Sequence, residues 1–266
     1  MITDDLTFQG AGERIAVHRW APADPRYVVL LAHGYGEHAG RYEHVAGALV
    51  ADGAAVFAPD HAGHGHSTGE RALVASIDDL VADLHTVAGI ALDAVPGVPV
   101  VLIGHSMGGI VATRYAQQHA GGLAALVLSG PAIGGNPDLI GLLELDPIPD
   151  IPIDPSILSR DPAVGAAYAA DDLVYHGPFR RETLLGFGTA IEAIAQGPSL
   201  GALPTLWIHG ELDALAPLAA TREAIERIRG PQLREKVYPG AQHEIFNETN
   251  RDEVIGDVLA FVAGVV

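Results

Sequence analysis

The sequence predicts an α/β fold: a mostly parallel central sheet flanked by helices on both faces, with a cap inserted late in the chain. Three observations predict it. Short runs rich in Val, Ile and Leu, each ending in small or polar residues, alternate with longer segments of helical period. The connections between runs are long enough to hold a helix, as parallel pairing requires. One stretch, from Pro131 to Leu200, breaks the alternation: it holds nine of the chain's 18 prolines and no convincing strand.

Taken in order, YVVLLAH from Tyr27 is the first buried run, followed by RYEHVAGALVAD from Arg41, whose apolar side chains recur three and four apart as on one face of a helix. AAVFAPD from Ala54 is the next strand. SIDDLVADLHTVAGIALDAV from Ser76 is the next helix, with acids near Asp78 in the first turn, where the helix dipole favours them. PVVLIGH from Pro99 leads through a glycine-flanked corner into IVATRYAQQ, a helix, and LAALVLSG from Leu123 follows as a strand. In the interrupted stretch, DPIPDIPIDP from Asp146 to Pro155 has too many prolines for a helix or central strand, so it reads as an extended loop that shows Ile148, Ile151 and Ile153 on a lip. TLWIHG from Thr205 resumes the sheet, and a last strand precedes VYPGAQHEIFN. At 266 residues the expectation is one domain over 1–266 with the cap at 131–200 inside it.

Composition narrows the function. Hydrophobic residues at 48% against 18% charged describe a packed globular chain. A net charge of −18 argues against phosphate backbones and anionic lipid as partners, and so against nucleic acid. The absence of cysteine removes disulfides, thiolate metal sites and a cysteine nucleophile together. MITDDLTFQG carries two aspartates where a signal peptide needs a basic start, and no apolar run reaches membrane-spanning length, so a cytoplasmic location is expected.

In a parallel sheet ligands gather at the carboxyl ends of the strands, and the corner at Ser106 is such an end. Gly104-His105-Ser106-Met107-Gly108 fits G-x-S-x-G, whose glycines permit a tight strand-to-helix turn that presents a serine hydroxyl. A serine nucleophile needs a base, and the base needs a carboxylate, in the chain order Ser, acid, His. WIHGELDALAP supplies Asp213, with Glu211 a rival two residues away, and VYPGAQHEIFN supplies His243. Attack on a carbonyl also needs preorganised donors for the developing oxyanion: the N–H of Met107, after the nucleophile, and that of Tyr35 in HGYGEH, whose side chains matter less than their amides. HAGHGHS from His61 sets three histidines close together, but a glycine-rich turn accounts for it and no metal is expected.

These residues resemble the α/β-hydrolase fold enzymes and, within them, the monoacylglycerol lipase and lysophospholipase group. HGYGEHAGRY from His33 to Tyr42 is the most specific match. GHSMGG, PDHAGHGHS, HEIFNE around His243, and SRDPAVGAAYAADDLV in the cap are also similar to the group's motifs. Asp172 and Ala62 depart from the group, standing where it commonly has proline and arginine.

The resemblance implies Ser106 as nucleophile, Asp213 as orienting acid, His243 as base, and Tyr35 with Met107 as oxyanion hole. It further implies a cap lining a tunnel for one acyl chain, a small lipid ester as substrate, transient contact of the cap with lipid surfaces, and no cofactor. DLIGLLEL from Asp138 suits such a tunnel, though it could equally pack the cap onto the core. Cap charges of ten acids against three arginines favour a neutral ester. A general carboxylesterase, a lysophospholipase, a proline iminopeptidase or carbon–carbon hydrolase, and a catalytically silent ligand binder on the same fold are the alternatives.

Overall fold

The computed structural model describes residues 2–266. Eight strands form one sheet: β1 (Ile2–Gln9), β2 (Arg14–Ala21), β3 (Tyr27–Ala32), β4 (Ala54–Pro59), β5 (Val100–His105), β6 (Ala125–Ser129), β7 (Thr205–Gly210) and β8 (Leu233–Tyr238), in spatial order β1-β2-β4-β3-β5-β6-β7-β8. From β4 to β8 every neighbouring pair is parallel, while β1 and β2 form an antiparallel hairpin joined to β4.

Strands β3 to β7 are buried along their whole length, because helices cover both faces. Alternate residues go to opposite sides. Val28, Leu30, Leu102, Leu126 and Trp207 pack against α2 (Ile77–Ala94), α3 (Met107–His119) and α7 (Leu218–Ile228). Val29, Leu31, Val101, Val127 and Ile208 pack against α1 (Glu43–Ala51) and α8 (Arg251–Val262). The Ser76 hydroxyl caps α2 by accepting the Asp79 N–H at 3.2 Å.

The N-terminal hairpin escaped the sequence reading. ITDDLTFQ pairs along its whole length with RIAVHRWA, yet its exposed face carries Asp5, Thr7 and Gln9, so it never reads as a continuous apolar run.

Between β6 and β7 the chain leaves the sheet, and among the described residues this excursion contains no strand. It carries α4 (Pro137–Gly141), α5 (Pro162–Ala170), α6 (Arg181–Gln196) and short 3-10 turns, with Asp146–Asp154 an irregular loop between them, where its prolines exclude a helix or central strand. It is fastened to the body by Thr183, whose hydroxyl donates to Ala72 O at 3.0 Å and accepts Val74 N–H at 2.9 Å. Gly186 of α6 lies so close to residues 74–75 that a Cβ would meet the Val74 carbonyl at 2.7 Å. Among the described residues no helix is long and apolar enough to cross a membrane.

Candidate active site

Ser106 stands between β5 and α3 with φ +54° and ψ −116°, in the positive-φ half of conformational space that a non-glycine residue enters only under constraint. The constraint is packing: a Cβ on Gly104 would meet Gly108 O at 2.2 Å, and one on Gly108 would meet Ala32 O at 2.0 Å. Both glycines let α3 press onto the sheet, and the sharp turn between them lifts the serine hydroxyl.

His243, in the loop after β8, places Nε2 at 2.9 Å from Ser106 Oγ and Nδ1 at 2.8 Å from Asp213 Oδ2. Of the two acids the sequence offered after β7, Asp213 meets His243, whereas Glu211 turns away and accepts the Gly240 N–H at 2.8 Å. Asp213 Oδ1 accepts the N–H groups of Leu215 and Ala216 at 3.0 and 2.8 Å, which fixes the carboxylate in its turn.

Burial alone would push His243 down, but the Asp213 charge and hydrogen bond, with Glu244 and Glu37 nearby, outweigh it and hold the imidazole above its ordinary 6.5. Burial would raise the Asp213 carboxyl, and the His243 contact instead holds it below the ordinary carboxylate range. His105, 4.8 Å from His243 between ring centroids, is driven down to about 4 by burial and by that neighbour, so it stays neutral.

The turn after β3 carries Tyr35. Its backbone N–H and that of Met107 both lack a protein hydrogen-bond partner among the described residues. The turn is held by a buried charge cluster that the sequence reading did not single out. Glu37 accepts from Gly34 N–H, the Tyr42 hydroxyl and Arg41, each at 2.6 Å. Arg41 also makes a bidentate pair with Glu244 at 2.7 and 2.8 Å, tying the Tyr35 turn to the residue next to His243. Asp60, at the end of the β4 turn, accepts Ala39 N–H at 2.8 Å and supports the same segment from below. The signal was present in HGYGEHAGRY: charged residues inside a buried motif must be paired.

The Tyr35 side chain matters more than expected. Its ring stacks on Phe179 at 5.0 Å and meets Phe187 edge-on at 5.8 Å, both from the excursion, and Gly36 O accepts the Tyr175 N–H at 2.7 Å.

Above Ser106 lies a cavity of about 400 Å³, walled chiefly by apolar side chains such as Leu139, Ile153, Leu158, Leu184, Phe187 and Ile191. Of the three isoleucines expected on a lip, Ile153 lines this cavity, Ile151 is 59% exposed, and Ile148 is half-buried without reaching the wall. In the 61–67 turn, His61 and His64 are buried against His33, and among the described residues no group of three potential ligands could hold a metal.

Residues 23–250 match the family model of the serine aminopeptidase S33 hydrolases. The chain belongs to this family. It is 40% identical to a monoacylglycerol lipase of Mycolicibacterium smegmatis, covering 96% of this chain and 95% of that protein. It is 30% identical to a human monoglyceride lipase, over 89% and 82% of the two chains. Among solved structures, a Paleococcus ferrophilus monoacylglycerol lipase superposes with a TM-score of 0.82 at 25% identity, over 95% of this chain and 99% of that one. A Bacillus coagulans carboxyl esterase in complex with glycerol gives 0.83 at 26%, over 100% and 99%. The α/β-hydrolase fold and the lipase group expected from the motifs are thus borne out, and the chain is a carboxylic ester hydrolase of that fold.

Proposed function

We propose that this enzyme cleaves monoacylglycerols to a fatty acid and glycerol through an acyl-enzyme, with the excursion at 131–200 acting as a cap over the acyl chain. Ser106 Oγ attacks the ester carbonyl as its proton passes to His243 Nε2. The Asp213 carboxylate accepts Nδ1–H, fixing the tautomer and stabilising the imidazolium. The N–H groups of Tyr35 and Met107 receive the oxyanion. The imidazolium then protonates the leaving glycerol oxygen, and the same residues in reverse order let water release the fatty acid.

The observation that carries this reading is the continuous hydrogen-bonded line Ser106–His243–Asp213 at the floor of a long apolar cavity. The excursion's net charge of −7 supports a neutral head group over an anionic one. Exposed Ile140, Leu145 and Ile151 offer an apolar edge for brief contact with lipid surfaces, and the enzyme works from the cytoplasm. An aminopeptidase would need a free carboxylate for a substrate ammonium. Of the three acids in the cavity wall, Glu37 and Glu244 are both held by Arg41, and Glu192 of α6 is exposed and accepts from Gln196, so no buried carboxylate is left free there, which favours the ester.

The test is fatty-acid release from 1-monooleoylglycerol by wild type and Ser106→Ala, with trioleoylglycerol and a short p-nitrophenyl ester in parallel. Rapid cleavage of the monoglyceride, slow cleavage of the triglyceride and a dead, folded variant are expected. A wild type that cleaves the short ester alone overturns the monoacylglycerol assignment.

A further inference from the structure

We propose that Trp207 and His209, on β7 beneath the site, form a tautomer lock that positions Asp213 for catalysis. This rests on reading Asp213 as the acid partner of His243.

Trp207 is fully buried, and its indole N–H points to His209 Nδ1 at 3.1 Å. An indole nitrogen can only donate, so Nδ1 must accept and the imidazole proton must sit on Nε2. That Nε2–H meets Ala216 O at 2.8 Å and lies 3.4 Å from Asp213 Oδ2. Ala216 is the residue whose N–H is accepted by Asp213 Oδ1 at 2.8 Å. One neutral imidazole therefore holds the carbonyl of the residue whose amide holds the carboxylate.

Protonated His209 would lose the Trp207 bond, because both ring nitrogens would then carry hydrogens. It would also set a full positive charge beside Oδ2, in competition with His243. Burial already disfavours that charge, and the Trp207 donor on Nδ1 fixes which nitrogen of the neutral ring keeps its proton. The charged and titratable groups around His209 are Asp213 in the following turn, His243 across the site, and Arg222 of α7, whose guanidinium lies 5.5 Å above the Trp207 ring. Asn136 braces the same turn separately, donating to Ala214 O and Leu215 O at 3.0 and 3.1 Å, so losing His209 should misplace the carboxylate without unravelling the loop.

The experiment measures kcat and KM on a short p-nitrophenyl ester, which needs no acyl cavity. His209→Leu is expected to lower kcat by about 10- to 100-fold with KM unchanged, the size of loss that a small misplacement causes. Glutamine can accept from Trp207 and donate to Ala216 at once, so His209→Gln should stay within about threefold of wild type. Trp207→Phe removes the donor from Nδ1 and leaves the tautomer unfixed, so kcat should fall by about 10-fold with KM unchanged. Glutamine has no tautomer to fix, so Trp207→Phe combined with His209→Gln should recover most of that loss, a response mere repacking would not give.

Asp213→Asn is measured alongside. If it is inactive while His209→Leu and Trp207→Phe keep the wild-type kcat, the lock is overturned and the triad reading stands. If Asp213→Asn is fully active, the triad reading itself fails. Should His209→Leu not fold by near-ultraviolet circular dichroism, Trp207→Phe and its combination with His209→Gln decide, and a Trp207→Phe variant with wild-type kcat overturns the proposal.

Discussion

At the scale of single residues, protonation decides when the site can act. In the proposed mechanism His243 must be neutral to take the Ser106 proton, and its surroundings hold it above the ordinary value, so activity should fall as pH drops through a midpoint above 6.5. Asp213, held low, stays ionised across that window and adds no second limb there. A pH profile of kcat/KM checks this, and an acid-limb midpoint at or below 6.5 would contradict it. Arg41 is the residue on which the buried cluster turns. Replacing it with Met leaves Glu37 and Glu244 buried without a counter-ion, so unfolding free energy should drop by about 3–5 kcal/mol, read by urea denaturation. The candidate triad was legible in the sequence because small motifs mark its members. Their supports were less so: Glu37, Arg41 and Glu244 are distant or ordinary in sequence, and only folding shows that one guanidinium serves both acids.

At the scale of elements, α6 shows how a helix can be shaped by what it faces. Leu184, Phe187, Gly188, Ile191 and Ala195 recur three and four apart and all line the cavity, a stripe roughly 16 Å long at about 1.5 Å rise per residue. Gly188 lies mid-helix, where glycine costs about 0.8–1.0 kcal/mol relative to alanine, and a Cβ there would meet nothing within 4 Å. Gly188→Leu should therefore leave the melting temperature unchanged or higher while sharply reducing turnover of long-chain monoacylglycerols and sparing acetyl esters. Chain-length profiles and thermal melts together test this, and unchanged long-chain turnover would show that the acyl chain runs elsewhere. The periodicity of strands and helices made most of the sheet readable in advance. It failed at β1, whose side chains cover only one face, and it could not foresee that the Tyr35 ring would be wedged against Phe179 and Phe187, since that contact joins elements far apart in the chain.

At the scale of the whole molecule, a net charge of −18 makes the folded state repel itself. Raising the ionic strength from about 0.01 to about 0.15 M shortens the screening length from about 30 to about 8 Å and should raise the melting temperature. A melting temperature indifferent to salt would mean that the acids are already locally compensated. The line from Ser106 to His243 spans 137 residues of chain and that from His243 back to Asp213 spans the last 30 of them, so the site draws on β5, β7 and β8 together. A chain that has collapsed and formed its helices, but has not yet docked its last strand, holds a serine with no base. In a refolding experiment, recovery of esterase turnover would then lag behind recovery of helical ellipticity, and the enzyme would clock the closure of its own outermost strand.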